Sequence, residues 1–286
     1  MMIDASDTET VRKRLYATIL VAAAGMGLLM LFAGEVGQER PFVTNWTINV
    51  TASAAAALAV LVSVRQGTRG LYGSAHAALA AGLVLWLTAE LLWTHYELGL
   101  GISTPFPSAA DALWLAGYPL IAYHLVRVYR FFGRGRPALA AGLAIAYSAF
   151  VAYLSLAVAT TTAATVSAED VQGGGAGDVM RLAVSVAYPV LDGVLAVPAI
   201  LVLANLKGGR FTSTPWALLS SALLLVALAD SGFAYHAAAG LEGQIWVWDI
   251  FFNASYVAIA ATLFWHHRFF IFDKNKLKKM WQWENR

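Results

Sequence analysis

The chain has 286 residues, 59% of them hydrophobic and only 13% charged, with a mean hydropathy of +0.63. Water-soluble domains carry about 25% charged residues, so composition excludes a soluble enzyme and indicates an integral membrane protein with the lipid bilayer as its surroundings and no nucleic-acid partner. There is no cysteine, which removes disulfides and thiolate metal sites, and the net charge of +2 conceals a steep asymmetry along the chain.

Apolar stretches long enough to cross a bilayer as helix, about 20 residues each, fall in order at about 15–34, 46–64, 75–96, 110–131, 138–160, 181–205, 215–237 and 245–266. The predicted fold is all-α, a polytopic transmembrane helical bundle of eight spans. Of the 19 lysines and arginines, all but Arg40 and Arg181 fall in the N-terminal segment, the even-numbered loops or the C-terminal tail. The positive-inside rule therefore places both termini in the cytoplasm, with the plasma membrane as the expected location. The first span follows Arg12, Lys13 and Arg14 like the apolar region of a signal peptide, and is read as a retained anchor. Asn45-Trp46-Thr47 and Asn253-Ala254-Ser255 match the glycosylation sequon, but lie at or inside the membrane and are read as chance matches.

Arg134-Gly135-Arg136-Pro137 divides the chain into two halves of four spans, about 12–133 and 137–268, within one membrane domain. An even number of spans per half makes the repeats parallel, related by an axis along the membrane normal. The internal match is strongest in the last two spans of each half. Glu90 aligns with Asp230, His95-Tyr96 with Tyr235-His236, Asp111 with Asp249 and Tyr118 with Tyr256. Residues 161–178, with Gly173-Gly174-Gly175, read as a flexible linker. Ser108 reads as the N-cap of the fourth span.

A carboxylate inside a span costs about 3 kcal/mol on insertion scales and marks a functional site by default. Glu90, Asp111, Asp230 and Asp249 share the outer half of the membrane on this topology, and Asp192 lies nearer the midplane. Around them are His95, Tyr96, Tyr118, Tyr188, Tyr235, His236 and Tyr256, the indoles of Trp93 and Trp114, and Arg181, which reads equally as the one basic residue available to pair with the acids or as an arginine snorkelling to the interface. The set reads as an outward-opening acidic and aromatic pocket for a small polar or cationic ligand or protons. Interhelical hydrogen bonding is the competing explanation for the acids, and helix capping alone explains Asp111 and Asp249 equally well. Pro119 and Pro189 kink their helices. His95, His124 and His236 lack the close helical spacing of a metal centre, and every lysine lies outside the spans, so neither a metal nor a retinal-type cofactor is expected.

Glu90-Leu91-Leu92-Trp93-Thr94-His95-Tyr96-Glu97, Pro105-Phe106-Pro107-Ser108-Ala109-Ala110-Asp111 and Gly117-Tyr118-Pro119 together resemble the eight-span sensory input domain at the N-terminus of some bacterial diguanylate cyclases and sensor kinases. Tyr188-Pro189-Val190-Leu191-Asp192 and Leu228-Ala229-Asp230-Ser231-Gly232-Phe233-Ala234-Tyr235 fit its second half, so the resemblance covers about residues 75–270. It implies a sensor. Family members continue into a cytoplasmic catalytic domain, whereas this chain has only a short tail, so signalling is expected to pass through a separate effector or a homo-oligomer. The 269–286 tail alternates aromatics with lysines and is expected on the anionic inner leaflet. Ala222 to Ser231 with Tyr235, and Gly117 to His124, are also similar to lysoplasmalogenase-like membrane hydrolases, which implies lipid hydrolysis with Glu90 and Asp230 as acid–base groups. A non-catalytic subunit of a larger membrane complex is the third alternative.

Overall fold

A computed structural model describes residues 5–35, 40–102, 106–132, 176–206 and 210–271, with 138, 141–143, 145–147, 149–150 and 153 from the region between. The described residues are almost entirely helical. The long helices are α1 (Ala5–Glu35), α2 (Arg40–Gln66), α3 (Gly70–Thr94), α4 (Ala109–Phe132), α5 (Ala176–Asn205), α6 (Arg210–Ala238) and α7 (Trp246–His266). Single π-helical turns, His95–Gly99 and His267–Ile271, extend α3 and α7.

Six stretches among the described residues are long and apolar enough to cross a membrane: Glu9–Ala33, Arg40–Gln66, Gly73–Gly99, Val179–Asn205, Ser213–Ala237 and Trp246–Ile271. The chain therefore has the make-up of a multi-pass membrane protein. The predicted fourth span coincides with helix α4, which is not among these six and is more polar, Asp111, Tyr118, Tyr123 and His124 interrupting its apolar run. The predicted fifth span is described only at scattered helical residues. The linker expected at 161–178 lies outside the described residues up to its last few, where α5 has already begun, and all but the first few residues of the expected tail lie outside them too.

Helices α2 to α7 form a closed ring in chain order, α7 returning to pack on α2, while α1 lies outside against α7. Each ring helix turns one stripe inward at spacings of three and four. On α2 the stripe is Ala52, Ala55, Ala56 and Ala59, and on α4 it is Tyr118, Ile121, Leu125 and Val128, all nearly inaccessible. The opposite faces carry exposed apolar side chains such as Val50, Val64 and Val190, suited to lipid. Between helices in lipid there is no water to expel, so close packing and interhelical hydrogen bonds hold the bundle. Gly82 and Gly117 give the closest approach. A β-carbon on either would stand 3.1 Å from the other's carbonyl oxygen, and the indole of Trp86 lies over Gly117.

The cross-links fix the relative direction of the helices. Thr51 and Gln66 of α2 meet Asn253 and His266 of α7, and Asp111 and Tyr118 of α4 meet Tyr188 and Asp192 of α5. These two seams, one on each side of the ring, run parallel.

Candidate functional site

The interior is crossed by a layer of carboxylates bonded to phenols and indoles. Glu90 on α3 is reached from two other helices: Tyr256 Oη donates to its Oε1 at 2.8 Å and Trp114 Nε1 donates to the same oxygen at 3.3 Å. On the opposite side Tyr118 Oη lies 2.7 Å from Asp230 Oδ2 on α6 and 2.9 Å from Asp192 Oδ1 on α5. The tyrosine from each half thus bonds the acid of the other half. Trp86 sits between them, its ring centroid 5.4 Å from that of Tyr118 and 6.4 Å from that of Tyr256, and its indole N–H donates to the Trp114 carbonyl at 3.0 Å.

Asp111 has a different task. Its Oδ2 accepts from the backbone N–H of Ser108 at 2.7 Å and from the Ser108 hydroxyl at 2.8 Å, while Ser108 Oγ accepts from the N–H of Ala110. This is the reciprocal arrangement of a capping box, and it confirms Ser108 as the N-cap of α4. The other oxygen of Asp111 takes the Tyr188 phenol at 2.8 Å, so a helix start is tied to α5.

Eight of the expected residues are therefore joined in three directly bonded sets: Glu90 with Trp114 and Tyr256, Tyr118 with Asp192 and Asp230, and Asp111 with Tyr188. Trp93 packs on Trp114 at 5.6 Å. Asp249 is half-buried in the first turn of α7, with Glu90 and Glu97 as its charged neighbours. His236 is outside the layer: its Nδ1 accepts the indole N–H of Trp248 at 3.0 Å and joins α6 to α7. His95 and Tyr235 are exposed, and Tyr96 is half-buried outside the layer. Arg181 is exposed on the second turn of α5, and among the described residues no ion pair reaches Glu90, Asp192 or Asp230. Of the two readings of Arg181, its exposure fits an interfacial arginine, and the donors that reach these acids among the described residues are neutral.

Sequence reasoning missed three features. Asn49 Nδ2 donates to Thr94 Oγ1 at 2.6 Å, Thr94 donates to Asn45 Oδ1 at 2.8 Å, and Asn45 Nδ2 donates to Glu97 Oε2 at 2.7 Å, a chain that binds α2 to α3. The signal was available in Asn45 and Asn49, four apart on one face of a span. Asn253 joins Thr51 and Thr47 across the α2–α7 seam at 3.1 and 3.3 Å, which gives that sequon residue a structural role. At the basic end, His76, His124 and His266 are buried together with Trp216, with His76 centroids 5.0 Å from His124 and 4.5 Å from His266. Only helix packing joins these three, since their sequence spacing carries no common period. Among the described residues, no group of three or more histidines and carboxylates is placed to hold a metal ion.

No protein family, no curated protein and no solved structure matches this chain.

Proposed function

We propose that the protein is a membrane sensory or receptor-type module of eight spans, arranged as two parallel four-helix repeats with both termini cytoplasmic. Its acidic and aromatic layer lies in the outer half of the membrane and receives a small cationic or polar ligand, or protons. The observation that carries this reading is the reciprocal crossing of Tyr118 to Asp230 and of Tyr256 to Glu90. Two halves locked through the same acids that a cation would seek are poised to shift when those acids are occupied. The ring order supports the repeat, because α2, α3, α4 and then α5, α6, α7 trace the same path with parallel seams between. Movement of α4 and α5 would be felt at Arg127 and Arg130 and at the start of α6, where an effector or a second copy of the chain would dock.

The reading is tested with purified protein in detergent, following thermal unfolding against a panel of ethanolamine, choline, putrescine and free amino acids, and across pH. One of these conditions should stabilise the wild type, and Glu90→Gln with Asp230→Asn should abolish that shift while leaving helicity unchanged. A wild type indifferent to the whole panel and to pH, or a shift retained in the double variant, overturns the reading.

A further inference from the structure

Tyr118 is surrounded by more acceptors than it can serve. A phenol carries one hydrogen and can donate it once. Its oxygen nevertheless lies 2.9 Å from Asp192 Oδ1 and 2.7 Å from Asp230 Oδ2, both within ordinary hydrogen-bond range. If both carboxylates were ionised, one of these contacts would be oxygen against oxygen with nothing between. Both carboxylates thus crowd one hydroxyl. Asp192 is 1% exposed, and its second oxygen, Oδ2, is buried without a donor among the described residues.

Among the described residues, the groups around this pair offer no positive charge. Facing it are Glu90 from α3, Tyr118 from α4, Tyr188 from α5, Tyr256 from α7, and Tyr147 from the partly described helical stretch, whose hydroxyl is also buried without a partner. Two bare carboxylates this close, shielded from water and lacking a cation, repel strongly, and one proton between them removes the repulsion.

We propose that Asp192 and Asp230 bind a single proton, shared with the Tyr118 hydroxyl at the junction of α4, α5 and α6. This deepens the sensory reading and rests on it, naming the proton as the ligand of that site. The balance is simple: one carboxylate takes up a proton from water and becomes a carboxylic acid, while Tyr118 keeps its own hydrogen. In the occupied state two hydrogens serve the two tyrosine contacts. In the empty state one hydrogen must serve both, so Tyr118 keeps one helix and releases the other. Proton loss thereby loosens α4 from either α5 or α6.

Infrared spectroscopy of the detergent-solubilised full chain tests this directly. Wild-type protein should show the C=O stretch of a buried protonated carboxyl, displaced on exchange into deuterium oxide and lost as pH is raised. Asp192→Asn and Asp230→Asn should each remove it, since an amide donor then satisfies the remaining carboxylate. Glu90→Gln should retain it, and Tyr118→Phe should displace it by deleting one hydrogen bond. The wild-type pH titration stands even if a variant fails to fold. Absence of the band at every pH where the protein is folded, or its full persistence in both aspartate variants, overturns the proposal. So does a carboxylate band that responds to sodium or potassium with no protonated carboxyl, which would assign the pair to a metal cation. Presence of the band with no effect of pH on thermal stability would leave the bound proton standing and defeat the sensory reading alone.

Discussion

Tyr118 and Tyr256 occupy matching places in the two halves, each seven residues after an aspartate near a helix start, yet they carry different loads. Glu90 has two donors, Tyr256 and Trp114, each with a hydrogen of its own. Among the described residues Asp230 has one, and shares it with Asp192. The second half of the bundle thus has an extra acid where the first has an extra indole. Two similar arrangements are thus filled in one place as a satisfied structural joint and in the other as a joint one hydrogen short. The second carries the unmet demand for a hydrogen that the proposed shared proton fills.

Removing the two phenols separates these roles most sharply. Tyr118→Phe leaves two buried carboxyls without their donor, and should destabilise the protein by about 3 kcal/mol. Tyr256→Phe leaves Glu90 bonded to Trp114 and should cost about 1 kcal/mol. Chemical unfolding of each variant in the same detergent measures the difference. Equal losses would show that the two bridges are equivalent and that the shared hydrogen has no consequence.

The neighbouring positions extend the contrast to packing. Gly117 precedes Tyr118, whereas Ser255 precedes Tyr256. A β-carbon at Gly117 would meet Trp86 Cδ1 and Nε1 at 2.5 Å, in the one indole that touches both tyrosines. Gly117→Ala should therefore cost about 2 kcal/mol through overpacking. Ser255 turns its hydroxyl back to the Phe252 carbonyl at 2.7 Å, a bond its own helix does not need, so Ser255→Ala should change stability by less than about 0.5 kcal/mol. Thermal unfolding of the two variants decides whether α3 and α4 are the tightly fitted pair.

Much of this was legible before any coordinates, and the reasons are physical. Acids are so unfavourable in lipid that Glu90, Asp192 and Asp230 announced an interior site by their presence alone. The seven-residue interval from Asp111 to Tyr118 places both on one face of a helix two turns apart, which is why both appear in the network. What sequence could not supply was the choice of partner. Nothing in the order of residues says that Tyr118 crosses to Asp230 rather than to Glu90 of its own half, because that depends on the ring closing through its parallel seams. Arg181 stayed open between two readings for a related reason. Charge counting identifies the available cation but not the direction it faces, and an arginine near a helix end reaches the interface more cheaply than the interior. The histidine cluster was invisible because three separate helices contribute one residue each.

The smallest contrast concerns the two aspartates at the helix starts. Both sit in the first turn, where an acid favours the positive end of the helix dipole by about 0.3–1 kcal/mol. Asp111 adds three hydrogen bonds, from the Ser108 backbone, the Ser108 hydroxyl and Tyr188, so Asp111→Ala should cost about 2 kcal/mol, the dipole term plus a lost cap and an interhelical bond. Asp249 presents its backbone carbonyl to Asn253, and this survives truncation. Asp249→Ala should cost no more than about 0.5 kcal/mol, and relief from the nearby Glu90 and Glu97 offsets part of that. Ser108→Ala separates the terms, because it should reproduce about half of the Asp111 loss without touching the Tyr188 bond. If Asp249→Ala instead matched Asp111→Ala, the two helix starts would be equivalent anchors, and the asymmetry between halves would be confined to Asp192 and its shared hydrogen.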